Sequence, residues 1–409
     1  MERRQLRCAK RRRSDRQDES YRAKGASGRT RCGDCIAFSP SMSGQPLTAP
    51  FGGDMEGDHW PHGSRDGASR DLTGLRNRVS EFFESLTGAE LARETHRHLW
   101  VADWLRVADD YRLFAESARR DGSARVASEA GLCSLTALEV ARSLSCPEDP
   151  ALAGLAGRVG ANLKAFMDGF GPAIERVEID GLDQGPLSGF FVPASRGGPC
   201  APAIICIGDE DITLDSMMSR LLPATCGGTT SLLFLGAGAS PGSRGVEPQM
   251  LQCWLDYLEA RKDVDAQQIA VYGEGTGASR ASRLAVSDCR IAAAVCDAGL
   301  LTSVARRASV HWMTGVDERA SNGALPPSRR IACPLLMVVG SRSMLREREA
   351  LELQATYRRA GADCSVVVPN RIPHPLGEVE NFIAADNFIV QWLDSKFGVA
   401  RQFDPVTYL

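Results

Sequence analysis

The feature of this sequence that most restricts its fold is a change of period near residue 171. Beyond Gly171-Pro172, short β-like runs alternate with helical stretches. Such alternation is typical of βαβ units, which build a mostly parallel sheet covered by helices. The first two strands are expected to pair as an antiparallel hairpin. The eight predicted strands are Glu175–Ile179, Leu187–Val192, Ala203–Ile207, Thr230–Leu235, Gln268–Tyr272, Ala292–Cys296, Leu335–Val339 and Cys364–Val368.

Before this change the apolar residues recur at spacings of three and four, which predicts four or five helices between residues 72 and 170. Trp100, Trp104, Val107, Tyr111 and Phe114 form an aromatic stripe at this spacing. Such a stripe usually faces a core, and lining a substrate pocket is the alternative. The predicted organisation is an extension over residues 1–71, a helical subdomain over 72–170 and an α/β domain over 171–409.

Residues 1–71 are rich in Arg, Ser, Gly and Asp and poor in periodic apolar residues, which predicts disorder. The basic run Lys10–Arg13 could be a nucleic-acid arm. A solvated tail, a translation start placed too far upstream and a targeting segment are the other interpretations. Cys32 and Cys35 form a single C-x-x-C without a second pair, so a metal or redox site is not favoured.

Composition bounds the function of the folded part. The 409 residues carry a net charge of −3 and are 43% hydrophobic, so a sizeable core is available and no nucleic-acid partner is expected. The 13 cysteines are scattered, several of them in apolar runs, which favours a reducing compartment. No run of 18 apolar residues and no secretory signal are present, so the prediction is a cytoplasmic protein without a membrane partner.

The segment 263–280 predicts a strand, a sharp turn and a helix. Its turn reads Gly273-Glu274-Gly275-Thr276-Gly277. In a G-x-S-x-G nucleophile elbow the central residue is a serine on a strained turn, and small neighbours let the helix pack close behind it. Here the central position is Gly275, which has no side chain to attack a substrate. A dinucleotide-binding G-x-G-x-x-G is excluded because Ala278 stands at its last position.

Around this elbow the chain resembles the FrsA-like and 2,6-dihydropseudooxynicotine hydrolase group of α/β-hydrolases, in which a helical N-terminal domain helps to cover the hydrolase domain. The resemblance is carried by the opening hairpin 181–193, the segment Ile207–Asp211, the segment Gly236–Ser240, the elbow, and His374-Pro375-Leu376-Gly377 followed by the helical stretch 385–393. It implies an eight-stranded, mostly parallel α/β-hydrolase sheet and no cofactor. It also leaves a homodimer as an open expectation.

Members of that family use Ser, His and Asp for catalysis. By resemblance the nucleophile falls on Gly275, the acid on residues 341–343 and the histidine on His374. The segment Val339–Met344 holds no carboxylate, so His374 alone is retained and the triad is degenerate.

The remaining groups still suggest a site. The backbone amides of Thr276 and of Asp209 or Glu210 could form an oxyanion hole, since an amide requires no particular side chain. The side chain of Thr276 is expected to point away from the pocket. Asp297, which follows the sixth strand, is the candidate acid for His374, and a helix N-cap is the alternative for that residue.

Other residues are weaker candidates. By resemblance Glu274 is a buried supporting group rather than a reactant. Ser240 or Cys206 could supply a displaced nucleophile, whereas Ser279 and Ser282 are not favoured because they lie further along the helix. His311 and Trp312 belong either to a pocket lid or to ordinary structure.

Three functions remain open at this point. The first is an atypical enzyme that uses His374 as acid or base and an oxyanion hole on a small carbonyl-bearing metabolite, in carbon–carbon cleavage, cyclisation, elimination or a related reaction. The second is a catalytically inactive relative that binds a ligand or partner. The third is a carbon–carbon or ester hydrolase with a displaced nucleophile. The first hypothesis, an atypical enzyme that uses His374, predicts that Gly275→Ala is tolerated or mildly harmful.

Overall fold

The computed structural model describes most of the chain beyond residue 70. The described residues are 71–145, 150–169, 174–180, 186–195, 200–209, 213–225, 228–236, 248–297, 331–340, 343, 345–374 and 377–398. The sequence predictions for Lys10–Arg13, Cys32 and Cys35, Glu210, Ser240 and His311-Trp312 lie outside these ranges, as does the predicted disorder of residues 1–70.

The N-terminal part is helical, as its period predicts. The helices are α1 (Leu72–Ser85), α2 (Gly88–Leu91), α3 (Glu94–Arg120), α4 (Ala124–Leu144) and α5 (Pro150–Gly169). N-cap residues mark the beginnings of α1 and α2. At α1 the Asp71 side chain accepts a hydrogen bond from the Gly74 amide at 2.6 Å, and at α2 Thr87 and Glu90 form a capping box. Trp100, Trp104 and Val107 are buried in the core, so this part of the stripe packs rather than lines a pocket.

The α/β part contains one eight-stranded sheet. Its strands are β1 (Glu175–Asp180), β2 (Pro186–Val192), β3 (Ala201–Ile207), β4 (Ser231–Leu235), β5 (Val264–Glu274), β6 (Ile291–Asp297), β7 (Leu335–Val338) and β8 (Cys364–Val367). The order across the sheet is β1-β2-β4-β3-β5-β6-β7-β8. β2 runs antiparallel to β1 and to β4, and the other pairs are parallel. This arrangement confirms the predicted fold class, since it is the strand order of an α/β-hydrolase sheet.

Helices cover both faces of the sheet. They are α6 (Leu214–Ala224), α7 (Pro248–Ala260), α8 (Thr276–Ser287), α9 (Glu347–Arg359) and α10 (Phe382–Phe397). One face packs on a core shared by α6, α10 and the N-terminal helices, and the other packs on α7, α8 and α9. The central strands β3 and β4 are buried on both faces, so their sequences are almost entirely apolar.

A second, two-stranded sheet was not predicted from the sequence. β9 (Arg371–His374) and β10 (Gly377–Glu380) pair antiparallel, with His374 opposite Gly377. These strands are too short and too polar to give a clear alternation.

The N-terminal helices hold this hairpin in place. A Cβ at Gly88 would lie 2.5 Å from the Pro373 carbonyl oxygen, so α2 packs directly on β9. Asn381 follows the hairpin and donates to the carbonyl and hydroxyl oxygens of Ser80 at 3.2 and 3.1 Å. The position of His374 therefore depends on helices that lie about 300 residues earlier in the sequence than this hairpin.

Within the described ranges, no helix combines the length and apolar character that crossing a bilayer requires.

Candidate functional site

The predicted strand, turn and helix are present at the end of β5. Gly275 lies between β5 and α8 with φ 56° and ψ −121°, a backbone conformation that L side chains rarely adopt. Its N–H donates to the Asp297 carbonyl at 2.9 Å. The flanking glycines are required by close packing, since a Cβ at Gly277 would lie 2.8 Å from the Gly208 carbonyl oxygen. The turn thus has the strained strand–turn–helix backbone typical of a nucleophile elbow, with a glycine at its central position.

The place of the missing side chain is taken by Asp209, two residues beyond the end of β3. A Cβ built on Gly275 would overlap the carboxyl group of Asp209 and would lie 2.9 Å from the Asp209 Cβ. Asp209 is 6% exposed. Because β3 and β5 are neighbours in the sheet, their carboxyl ends bring these two residues together.

The Asp209 carboxylate is held by the first residue of α8. Its Oδ1 accepts hydrogen bonds from the Thr276 N–H at 3.3 Å and from the Thr276 hydroxyl at 2.8 Å. Gly275 has no side chain to cap α8, and the carboxylate satisfies the first amide and faces the positive end of the helix dipole.

These contacts correct the expectation for Thr276. Its side chain does not point away from the turn, because its hydroxyl donates to the Asp209 carboxylate, which occupies the space of a side chain at position 275. The Thr276 amide, expected to serve an oxyanion hole, donates to Asp209 instead. The other predicted amide donors are those of Asp209 and Glu210, and Glu210 is outside the described residues. Sequence reasoning considered only the backbone of Asp209 and missed its side chain.

Behind the elbow lies a buried charged cluster. Arg220 of α6 is surrounded by Tyr272 and Glu274 of β5, Asp297 of β6 and Asp386 of α10, each at most 5% exposed. The Arg220 Nη2 lies 3.3 Å from both Glu274 Oε2 and Asp297 Oδ2, and Nε lies 3.6 Å from Asp386 Oδ1. Arg220 also donates to the Tyr272 hydroxyl, which itself donates to Asp297 at 2.6 Å.

This cluster changes the interpretation of Asp297. Among the described residues, its carboxylate hydrogen-bonds to Tyr272 and Arg220, and it forms no hydrogen bond or ion pair with His374. The sequence placed Asp297 correctly at the end of a strand, but the structure does not bring it to the histidine. Asp297 hydrogen-bonds to Tyr272 and Arg220 through its side chain and to the Gly275 N–H through its carbonyl oxygen, so it stabilises the turn after β5.

Burial and the charges of neighbouring groups together set the pKa values in the cluster. Burial raises the pKa of Asp386 to about 7, despite the opposing charges of Arg220 and Arg76, and it raises the pKa of Tyr272 well above its usual value. Burial alone would lower the pKa of Arg220, but the carboxylates around it outweigh that effect and raise it. Arg220 therefore stays charged, and Asp386 is the group whose charge changes near neutral pH.

His374 lies at the end of β9, partly buried. Burial lowers its pKa, and the nearby positive charge of Arg97 lowers it further. His374 is consequently neutral at pH 7, which is the form that accepts a proton.

A carboxylate also lies beside Gly340, the residue before the segment 341–343 to which the resemblance assigns an acid. The Oε1 of Glu380, on β10, lies 3.0 Å from where a Cβ at Gly340 would stand. Gly340 lies two residues beyond the end of β7, and residues 341 and 342 are outside the described part. The sequence gave no signal for this contact, because Glu380 belongs to a hairpin that was not predicted.

The remaining candidates fit ordinary structural roles. Glu274 is buried, as the resemblance implies. Burial raises the pKa of Cys206 far above its usual range, which makes its thiol a poor nucleophile. The Ser282 hydroxyl donates to the Ser279 carbonyl within α8 at 2.8 Å. Within the part of the chain that is described, no group of three or more His, Cys, Asp or Glu side chains is arranged to hold a metal ion.

Comparisons with known proteins give few close relatives. No family model matches the chain. An uncharacterized protein of Mycobacterium tuberculosis strain H37Rv, Rv2307c, is 31% identical over 180 residues, which make up 41% of this chain and 62% of that protein. A protein of strain CDC 1551 matches to the same extent. The match thus spans less than two thirds of these relatives' own length.

Among solved structures, 2,6-dihydroxy-pseudo-oxynicotine hydrolase is similar with a TM-score of 0.48 and 17% identity, over 75% of this chain and 91% of that one. An acylaminoacyl peptidase of Pyrococcus horikoshii has a TM-score of 0.40 and 12% identity, over 57% and 43%. An esterase of Pyrococcus furiosus has a TM-score of 0.39 and 16% identity, over 54% and 88%.

The strand order and the strained turn between β5 and α8 belong to this chain's own structure, and on both counts the chain has the α/β-hydrolase fold.

Proposed function

We propose that this chain is an atypical α/β-hydrolase-fold enzyme that lacks a serine nucleophile and moves a proton on a small carbonyl-bearing substrate. The observation that carries the proposal is the carboxylate of Asp209 at the place of the missing serine side chain. Carbon–carbon cleavage, cyclisation and elimination all begin or end with such a proton transfer, and none of them requires a covalent intermediate on the protein.

The contacts of Asp209 suit a general base. Thr276 holds Oδ1 in place with two hydrogen bonds, and Oδ2 lies closest to the position of a Cβ on residue 275. A carboxylate fixed in this way can remove a proton from a carbon next to a carbonyl group, since a positioned base contributes about 10²–10⁴-fold to rate. His374, neutral at pH 7, is the second acid or base.

The Thr276 amide has a part in this proposal. When a substrate carbonyl becomes an enolate, its oxygen gains negative charge and is stabilised by a fixed N–H donor. The amide now donates to Asp209 Oδ1. As Asp209 accepts the proton its carboxyl group becomes a weaker acceptor, which releases the amide toward the developing oxyanion.

The same contacts also suit a second candidate, a ligand-binding protein without turnover. Asp209 fills the space of a side chain at position 275 and accepts the hydrogen bond of the Thr276 amide, so both are already engaged within the protein. The third, a hydrolase with a displaced nucleophile, is weakened for Cys206 by the raised pKa of its buried thiol. For Ser240 it depends on a residue outside the described part.

Deuterium exchange tests the proposal without knowledge of the complete reaction. Small ketones, esters and oxo acids are incubated with the protein in D₂O, and loss of the proton next to the carbonyl is followed by ¹H NMR. We expect exchange with the wild type, a loss of at least about 100-fold with Asp209→Asn, and a smaller loss with His374→Gln. Asp215→Asn, an exposed carboxylate on α6, is the matched control.

Three outcomes separate the candidates. Exchange that depends on Asp209 supports the enzyme. Ligand binding without exchange, with equal affinity in Asp209→Asn, favours the binding protein. A serine of the wild type labelled by a fluorophosphonate probe would establish a displaced nucleophile and overturn the proposal.

A further inference from the structure

A buried cation, Arg97, acts electrostatically on His374 and forms no ion pair within the part of the chain that the structure describes. Arg97, in the first turns of α3, is 4% exposed. Its Nη1 donates to the carbonyl of Leu91, the last residue of α2, at 3.2 Å. Its Nε is buried without a hydrogen-bond partner. Among the described residues Arg97 forms no ion pair, in contrast to Arg220, which contacts three carboxylates.

Burying an unpaired guanidinium is unfavourable, because the group loses its hydration without gaining a carboxylate. One backbone carbonyl satisfies one of five N–H donors. The carboxylate nearest in sequence, Glu94, is exposed and contacts His98 at 3.9 Å instead. Arg97 thus retains most of its hydrogen-bonding capacity at a place that water reaches poorly.

The position of Arg97 links it to the proposed chemistry. Its charge is close enough to His374 to lower the pKa of the imidazole. α2 packs on the strand that carries His374, through Gly88 and Pro373, and Arg97 binds the end of α2. The short helix α2 therefore contacts both the Arg97 side chain and the strand that carries His374.

We propose that Arg97 binds a carboxylate group of the substrate and so places the substrate beside His374. This inference rests on the proposed function and names its substrate class: small carbonyl compounds that carry one carboxylate. A guanidinium pairs with a carboxylate through two parallel hydrogen bonds. A monoanion leaves the buried site neutral, whereas a phosphate dianion would leave one uncompensated charge beside a neutral histidine.

The proposal predicts a coupling between the anion and His374. A bound carboxylate offsets the charge of Arg97, so it raises the pKa of His374 toward the usual value of about 6.5. By linkage, the anion binds more tightly when His374 is protonated. Catalysis plays no part in this coupling, which makes it measurable in the absence of turnover.

The experiment is an NMR titration of histidine-labelled protein, in which His374→Gln assigns the resonance. Propionate, its neutral analogue propionamide, and inorganic phosphate are added at constant ionic strength. We expect propionate to raise the pKa of His374 saturably, propionamide to have no effect, and phosphate to bind more weakly than propionate. Arg97→Met should weaken propionate binding about ten-fold or more. It should also raise the pKa of His374 in the free protein.

Controls keep the outcome decisive. Arg93→Met removes an exposed arginine at the start of the same helix and should bind propionate like the wild type. Arg97→Lys keeps the charge without the planar fork and should bind with intermediate affinity, which provides a second variant if Arg97→Met folds poorly.

Equal effects of propionate and propionamide, or equal propionate affinity in Arg97→Met and the wild type, would show that Arg97 only caps α2. Tighter binding of phosphate would overturn the choice of a monocarboxylate. If propionate binds through Arg97 while Asp209-dependent exchange is absent, the inference stands and the proposed function fails. If neutral ketones exchange in an Asp209-dependent way but propionate does not bind, the proposed function stands and the inference about Arg97 fails.

Discussion

Gly275→Ala probes the close approach of Asp209 to the elbow more directly than any other single substitution. The new Cβ would overlap the Asp209 carboxyl group and lie 2.9 Å from the Asp209 Cβ. It would also stand on a residue with φ of 56°. The sequence alone predicts a tolerated or mildly harmful change, with the methyl group facing the substrate. The structure predicts instead that the methyl group meets the protein itself.

Two costs add in this variant. A side chain at this positive φ costs about 1–3 kcal/mol, and forcing a methyl group into occupied space costs about 1–3 kcal/mol more. The expected loss in free energy of unfolding is therefore about 2–6 kcal/mol, from the sum of these two ranges. Removing the Asp209 side chain relieves the second cost but leaves the first.

The assay is urea unfolding of the wild type, Gly275→Ala, Asp209→Gly and the double variant, which form a double-mutant cycle. We expect the double variant to be more stable than the sum of the single effects by about 1–3 kcal/mol. Gly122→Ala is the control for backbone strain, because Gly122 has φ of 75° and no atom within 4 Å of its Cβ position. If Gly275→Ala costs no more than Gly122→Ala and the cycle shows no coupling, the placement of Asp209 is refuted.

Two further predictions concern the supports of the site. The pKa of Asp386 is about 7 in the folded protein and about 3.8 in the unfolded chain, so the folded state holds a proton that the unfolded state releases. The stability that this group contributes is lost as pH rises from about 4 to 7. Relative to the wild type, Asp386→Asn should therefore gain free energy of unfolding across that range, measured by urea unfolding. Parallel pH profiles of the two proteins would contradict the raised pKa of Asp386. Asn381→Ala removes two buried hydrogen bonds to Ser80 and the cap of α10, and should cost about 2–4 kcal/mol. Its histidine NMR spectrum should also show a displaced His374 resonance, and an unchanged resonance would argue that the hairpin is held elsewhere.

Much of the fold could be predicted from the sequence because it depends on local pattern. The eight predicted strands overlap the eight observed ones, since apolar runs between turn residues mark buried parallel strands wherever they lie. The β5–α8 turn was predicted for a similar reason, as three glycines in five residues fit a backbone that approaches its neighbours closely. The β9–β10 hairpin was missed because four-residue strands with charged side chains carry no clear period.

The candidate site also has features that the local sequence predicts and features that depend on long-range contacts. The sequence by itself determined that a glycine stands at the centre of the turn after β5 and that the segment Val339–Met344 has no carboxylate. From the resemblance it also predicted His374 as the catalytic histidine. Only the tertiary structure decided that the Asp209 carboxylate occupies the space beside Gly275, that Asp297 hydrogen-bonds to Arg220 and Tyr272, and that the charge of buried Arg97 lowers the pKa of His374. The physical reason is that these contacts join residues between 25 and almost 300 positions apart. These side chains come together because neighbouring strands end at one edge of the sheet and helices pack over that edge. The periodic pattern of apolar residues predicts local structure only, so it does not predict such contacts.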